Sequence, residues 1–339
     1  MSELQIFLGN IWFFLIGLML VLYVVLDGFD LGVGVLSLFV RAENQRDVMM
    51  SSLGSIWDAN ETWLVLLGGA LFGAFPLVYG VALHALYIPI MLMLFGLIFR
   101  GVAFEFYVYA QRKQFWGMAF GIGSALAAVS QGLALGAIIQ GIEVEAERFS
   151  GGVWDWLSPF SLVVGAGVLA GYMLLGATYL IMKTEGEIQQ RSYRAAKLTA
   201  WSMFAAAAVV TVATPFFHAG VTVRWVSFPM LYYLVALPLL AIATFFMLIR
   251  SLRRRYENAP FVWSLAIFLL SFAGLAMTLF PYLLPPSVSI ANAAASPKTL
   301  VFMLTGIGLL LPVMLIYNGY QYLVFRGKVG QQGYAGHSH

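Results

Sequence analysis

Apolar stretches of about twenty residues, recurring from one end of the chain to the other, leave it few folds to choose from. A helix needs about 20 apolar residues to cross a hydrocarbon core about 30 Å thick. Nine such runs can be marked: Ile6–Leu26 (continuing as LGVGVLSLFV), Ser55–Phe75, Val78–Phe99, Trp116–Ile139, Pro159–Met182, Leu198–Phe217, Ser227–Ile249, Pro260–Leu284 and Thr299–Phe325. Each is expected to be a helix, because an open sheet would leave backbone groups unpaired in lipid. Composition agrees. Of 339 residues, 61% are hydrophobic and only 10% charged, against about 25% charged in a soluble domain. The expected fold is an all-α, polytopic membrane protein of about nine transmembrane helices.

The basic residues orient it. Arg41, Arg46, Arg100, Arg112, Lys113, Lys183, Arg191, Arg194, Lys197, Arg250, Arg253, Arg254, Arg255, Arg326 and Lys328 fall in one alternate set of loops. Arg148, Arg224 and Lys298 fall in the other. Positively charged loops stay inside, so the N-terminus is expected outside and the C-terminus in the cytoplasm. The acidic loop EVEAERFSGGVWDW then lies outside. The net charge of +3 is an orientation signal and does not mark a nucleic-acid surface. The N-terminal run lacks a basic leader and a small-residue cleavage site, which suits a retained first helix. The polar tail KVGQQGYAGHSH is expected to fray. Residues 1–140 would form one four-helix bundle, 141–158 an external acidic loop, 159–284 a second bundle, and 285–339 a ninth helix and cytoplasmic tail. A loose echo of Gly28-Phe29-Asp30-Leu31 in Gly176-Ala177-Thr178-Tyr179-Leu180 is compatible with duplication.

Charges inside the apolar runs carry the functional information. Asp27 and Asp30 lie in VVLDGFDLGVG, Asp58 and Glu61 in SIWDANETWLVLL, and Glu105 follows Arg100 in LIFRGVAFEFYVY. An ionised group costs several kcal/mol in a membrane and faces protein or water. Residues three apart share a helix face, which pairs Asp27 with Asp30 and Asp58 with Glu61. A second helix beginning near Val48 would carry Asp58 roughly 15 Å along its axis. Carboxylates at the cytoplasmic half are the material of a proton relay. The alternative is structural: Asp58 accepting hydrogen bonds from a neighbouring helix, and Glu105 pairing with Arg100. Trp57 and Asn60 flank the same acids.

Other chemistries are excluded or weakened. There is no cysteine, hence no disulfide, thiolate metal site, iron–sulfur cluster or cysteine nucleophile. His218, His337 and His339 lie in a loop and the tail, and His84 alone falls within a span. A lone histidine can ligate haem, but hydrogen bonding to a neighbour is the commoner use, and no histidine pair has metal-binding spacing. No haem or metal is therefore expected in this chain. GFDLGVG follows a helix rather than a strand, so it is no dinucleotide loop. Gly28, Gly32 and Gly34, and also Gly68 and Gly69, are read as points of close helix approach. Trp57, Trp63, Trp116, Phe104, Phe106 and Tyr107 read as an interfacial aromatic belt, with a quinone or lipid-tail groove as the sharper alternative.

DGFDLGVG (residues 27–34), WDANETWLVLLGGALFGAFPLVYG (57–80) and FRGVAFEF (99–106) resemble subunit II of the cytochrome bd quinol oxidases. GATYLIMKTEGEIQQR (176–191) and FPYLLPPS (280–287) extend the likeness over the whole chain. The resemblance implies a heterodimer in a bacterial cytoplasmic (inner) membrane with subunit I. In the family that subunit carries haem b558, haem b595, haem d and the quinol site. The complex oxidises quinol, reduces dioxygen to water with cytoplasmic protons, and builds proton motive force without pumping. Small single-helix accessory subunits, membrane lipids and a quinone bound in this subunit belong to the same picture, and nucleic acid does not. By this resemblance Asp58, Glu105 and Asp27 lie on the proton pathway, supported by Asp30, Trp57, Asn60, Glu61 and Arg100. Glu105 stands where the family commonly has aspartate. The rival reading is a proton-coupled secondary transporter, and the blander one a scaffold whose acids are all structural.

Overall fold

Glu3 to Ser37 form one unbroken helix, α1, in the computed structural model, which describes residues 2–54, 56–217 and 230–329. Ser2 caps its start by accepting a hydrogen bond from the Gln5 backbone N–H. At about 1.5 Å per residue α1 is longer than a hydrocarbon core. It therefore carries Asp27 and Asp30 on the same helix as the apolar run. There follow α2 (Glu43–Leu53), α3 (Trp57–Ala74), α4 (Pro76–Ala85), α5 (Tyr87–Tyr107) and α6 (Lys113–Gln140). A small hairpin, β1 (Val144–Glu145) with β2 (Arg148–Phe149), precedes α7 (Pro159–Lys183) and α8 (Gly186–Ala213). After the undescribed stretch come α9 (Met230–Arg253) and α10 (Ala259–Leu279). A second hairpin, β3 (Tyr282–Leu284) with β4 (Val288–Ser289), leads to the short α11 (Ile290–Ala293) and to α12 (Pro297–Val324).

Among the described residues, eight helices are each long and apolar enough to cross a membrane, and the count reaches nine where the bent pair α3–α4 is taken as one span. Three expected boundaries move. The second span does not begin near Val48: α2 ends at Gly54 and a new helix starts at Trp57. Asp58 thus occupies the first turn of α3 and is not well along a longer helix. Val78–Phe99 is not one helix either. Phe75 leaves the helical region (φ −136°, ψ 66°) because Pro76 follows it, as the residue before proline is pushed out of α. The chain then turns by 119° into α4, and the third span is α5. Finally, α10 stops at Leu279, two residues before Pro281. The beginning of the expected Ser227–Ile249 span lies outside the described residues.

The centre of the molecule is the contact of α1 with α7. A Cβ on Gly32 would collide with the backbone carbonyl of Tyr172, and one on Gly176 with the backbone of Gly32 and Val33. The two helices therefore touch main chain to main chain, as small residues allow in membranes. Phe29 stacks on Tyr179 beside this point with ring centroids 4.4 Å apart. Gly28 and Gly34 pack against Tyr172 and Ser124, as expected, and Gly96 meets the backbone of α6. Gly68 and Gly69 depart from the expectation, since nothing among the described residues lies within 4 Å of a Cβ built on either. Trp63 departs too. It is buried with Trp12 and Tyr23 in a core cluster and takes no part in a belt.

α12 is fastened at its ends. Trp12 Nε1 donates to the Leu300 carbonyl at 3.2 Å, and the Ala295 N–H to the Ala74 carbonyl at 2.9 Å. At the other end Lys183 Nζ donates to the Phe325 carbonyl at 2.6 Å, and the Val329 N–H to the Lys183 carbonyl at 2.8 Å. Between these ties α12 and α3 enclose an apolar groove of about 1000 Å³.

Gly32→Ala should destabilise the protein by about 1–3 kcal/mol or prevent its accumulation, because overpacking here must separate two backbones. Gly274→Ala, where a Cβ meets nothing within 4 Å, should be neutral or slightly stabilising. Thermal unfolding in mild detergent compares them, and equal effects would contradict the packing assigned to Gly32.

Candidate functional site

The polar centre is built from three helices. Asp27 and Asp30, one turn apart on α1, are each only 1% exposed. Arg100, on α5, is equally buried and places Nη1 2.7 Å from Asp27 Oδ1. The contact has the distance of an ion pair without the alignment of a hydrogen bond. Arg100 Nη2 lies 3.5 Å from Glu61 Oε2, and the Glu61 side chain retains 24% exposure. The guanidinium is thus shared between a buried carboxylate and one that still reaches the surface.

Asp30 has different company. Asn60 Nδ2 donates to Asp30 Oδ2 at 2.8 Å and also approaches the Leu26 carbonyl at 3.3 Å. Asn60 Oδ1 accepts from the Tyr322 hydroxyl at 2.9 Å, so α12 joins the cluster. Asp30 Oδ1 has no hydrogen-bond partner among the described residues. The cluster therefore holds three carboxyl groups and a single guanidinium, which touches two of them, Asp27 and Glu61. A buried site with more acid than base is one that can hold exchangeable protons.

A second polar chain lies beside the first. Gln131 Nε2, on α6, donates to the Tyr23 hydroxyl at 2.7 Å, and Tyr172, on α7, donates to Gln131 Oε1 at 2.6 Å. The sequence reading passed over Tyr23, Gln131, Tyr172 and Tyr322. The lone amide in the apolar α6 run was the available signal, since polar side chains inside membrane helices seek one another.

Asp58 and Glu105 do not enter the buried cluster. Both are exposed on the chain, and neither carboxylate has an ion pair or side-chain hydrogen bond among the described residues. Asp58 sits in the first turn of α3, where the helix dipole favours a negative charge. The structural alternative, a pairing of Glu105 with Arg100, is not formed among the described residues, and Asp27 and Glu61 engage the guanidinium instead. Trp57 packs on Phe104 with centroids 5.3 Å apart. The start of α3 and the end of α5 are thereby held side by side, and both surface acids occupy that one end.

His84 departs from the expectation of a histidine within a span. It is exposed on α4, edge-on to the Phe149 ring at 5.4 Å. His218, His337 and His339 lie outside the described residues. Among the described residues no group of three or more histidine, cysteine, aspartate or glutamate side chains could hold a metal.

The profile of the family described as "Cytochrome bd terminal oxidase subunit II" matches residues 8–325. The chain belongs to that family. It is 30% identical over 370 aligned positions to "Cytochrome bd-I ubiquinol oxidase subunit 2" of Escherichia coli K12, covering 97% of each chain. Likeness to "Cytochrome bd ubiquinol oxidase subunit 2" of Bacillus subtilis is 27% identity, covering 96% of this chain and 98% of that one. Among solved structures, a chain of the bd oxidase from Geobacillus thermodenitrificans superposes with a TM-score of 0.74 at 17% identity, over 94% of this chain and 99% of that one. That likeness establishes the fold of a multi-pass membrane protein.

Asp27→Asn should cost about 3 kcal/mol in stability, because it weakens the compensation of a guanidinium buried in the membrane. Adding Arg100→Gln to it should recover part of the loss. Asp58→Asn should stay within about 0.5 kcal/mol, as expected of a group without partners in the chain. Unfolding midpoints of the purified protein test the ranking, which fails if Asp58→Asn is the most destabilising of the three.

Proposed function

We propose that this chain is the non-haem subunit of a bd-type quinol:dioxygen oxidoreductase and supplies part of its cytoplasmic proton route. The observation that carries the reading is the arrangement of acids at one end of α3 and α5. Two carboxylates stand on the surface; Asp27 and Glu61 engage Arg100 behind them, and Asp30 lies beside that pair, held by Asn60. In this reading subunit I covers the α3–α5 face. Its haem b558, haem b595 and haem d would supply the electron transfer and dioxygen chemistry when present. This chain contributes groups that hold and hand on protons.

Asp58 and Glu105 take up protons at the subunit boundary, where covering by subunit I removes them from bulk water. Glu61 lies one turn beyond Asp58 on α3 and touches Arg100. A proton arriving at Glu61 changes the charge that Arg100 shares with Asp27. The buried acids thus respond to protonation at the surface through one guanidinium. Asp30, held by Asn60, adds a further carboxyl group within the same cluster, and Trp57 keeps the two helix ends together. The orientation follows from the basic loops: N-terminus outside, C-terminus cytoplasmic, in a bacterial inner membrane. The two halves, 1–140 and 159–284, are read as related bundles meeting along α1 and α7.

The apolar groove between α3 and α12 is lined near one end by Asn318. Its Oδ1 is buried and without a hydrogen-bond partner among the described residues. A quinone bound in this subunit would lay its isoprenoid chain along the groove, and in its reduced form a quinol hydroxyl would donate to Asn318 Oδ1. The transporter reading is not favoured, because family membership points to the oxidase.

Asp58→Asn should lower quinol oxidase turnover about 100-fold or more, the range for loss of a proton-transferring group, with haem content near normal. Loss of the haems together with activity would instead mark a scaffold role, and unchanged turnover would remove Asp58 from the route. Glu105→Gln should slow turnover more than Glu105→Asp, whereas equal effects would point to packing. A reduced-minus-oxidised visible spectrum of the chain purified from native membranes should show haem b and haem d bands from an accompanying large subunit. A colourless chain running alone would sink the oxidase reading.

A further inference from the structure

The outward side of the second half carries a seam that the proton reading does not use. α8 and α9 run antiparallel, and three contacts fix their register. Trp201 meets Phe245 edge-on at 4.9 Å, and Phe204 stacks on Phe245 at 4.4 Å. Toward the basic end the Tyr193 hydroxyl donates to the Tyr256 carbonyl at 3.1 Å. There the Arg255 guanidinium also lies 5.5 Å over the Tyr193 ring and bonds to Gln190. This register brings Arg194 and Lys197 of α8 to the level of Arg250 and Arg253 of α9. Each pair is spaced three residues apart, which places its members on one helix face.

These four cations differ from their neighbours. Arg191 pairs with Glu187 at 2.5 Å, Lys328 with Glu257 at 2.9 Å, and Lys183 with the Phe325 carbonyl. The hydrogen bonds from Lys328 and Gln189 hold the Glu257 carboxyl below its ordinary range. Both nearby carboxylates are therefore committed elsewhere. Arg194, Lys197, Arg250 and Arg253 are exposed, and none has an ion pair or side-chain hydrogen bond among the described residues. One turn farther into the apolar zone, Trp201 is 50% and Phe246 60% exposed. Trp201 follows Lys197 by four residues, and Phe246 precedes Arg250 by four, so each aromatic shares a face with a cation.

The positive-inside tendency explains why cations are at this end. It does not explain why four of them stand without an ion pair or side-chain hydrogen bond among the described residues, above two exposed aromatics, while Arg191 and Lys328 pair with carboxylates and Lys183, Arg254 and Arg255 hydrogen-bond within the chain. Unpaired cations at the headgroup level above an aromatic, apolar wall match an anionic amphiphile with a phosphodiester head. We propose that the α8–α9 seam binds an anionic phospholipid of the cytoplasmic leaflet. Its phosphate would lie across Arg194, Lys197, Arg250 and Arg253, with its acyl chains along Trp201 and Phe246. The proposal rests on the orientation given above and on assembly of the oxidase. It identifies a lipid site on the side of the chain reached through α7 and α10, away from the α3–α5 face.

The test uses the purified oxidase complex in phosphatidylcholine nanodiscs. These contain, as a minor component, either phosphatidylglycerol with brominated acyl chains or phosphatidylcholine brominated in the same way. Trp201 fluorescence is isolated by subtracting the signal of Trp201→Phe. Quenching by the brominated phosphatidylglycerol should exceed that by the brominated phosphatidylcholine at least about threefold, a modest return on four interfacial cations. The ratio should fall to one in the variant Arg194→Gln/Lys197→Gln/Arg250→Gln/Arg253→Gln and persist in Arg194→Lys/Arg250→Lys. If the fourfold variant does not assemble, the wild-type complex decides. Its preference should collapse at 1 M salt, where the screening length is about 3 Å. Equal quenching by both lipids in the wild type, no quenching by either, a preference surviving the fourfold variant, or one unaffected by salt would overturn the site. Failure of the oxidase reading would show separately, as missing haem bands in the same preparation.

Discussion

A guanidinium cannot be left alone among hydrocarbon side chains, and Arg100 sits where its only remedy is the carboxylates of other helices. Asp27 comes from α1 and Glu61 from α3, so one cation sets the mutual placement of three elements. The uncompensated alternative costs several kcal/mol, more than any single apolar contact in the bundle contributes. Asn60 then ties the remaining acid, Asp30, to Tyr322 of α12. The polar groups that carry the proposed chemistry are therefore also those that decide which helices meet.

Opposite this cluster the architecture rests on shape. Gly32 and Gly176 let α1 and α7 touch through their backbones, and dispersion and backbone contact replace the hydrophobic drive that lipid does not provide. The two constraints lie on one helix, about a turn apart along α1. Displacing α1 to relieve crowding at Gly32 would pull Asp27 away from Arg100. Stability and the proposed proton site are consequently hard to alter independently in this chain.

Much of this was legible in the residues. Run length and charge content established the helical class, and the three-residue spacing of Asp27 and Asp30 correctly placed both on one buried face. Gly28, Gly32 and Gly34 were readable as packing positions because small residues within an apolar run have few other uses. Asp58 was misplaced because Gly54 ends one helix and Trp57 starts another, a break that apolarity alone does not reveal. The partner of Arg100 was also open. The nearby Glu105 competes with the distant Asp27, and only the tertiary arrangement, with α1 and α5 both packed on α6, decides between them. Tyr322 belongs to the cluster through a separation of 262 residues from Asn60, which no local pattern encodes.

α12 is secured at both extremities and only loosely in between. A beam held in this way bows more readily than it detaches. The space it shares with α3 lies between those two fixed ends, and the wall it presents outward is mostly apolar. Material in that space would exchange sideways with the surrounding lipid, without passing through an aqueous mouth, so occupancy would follow membrane composition rather than soluble concentration.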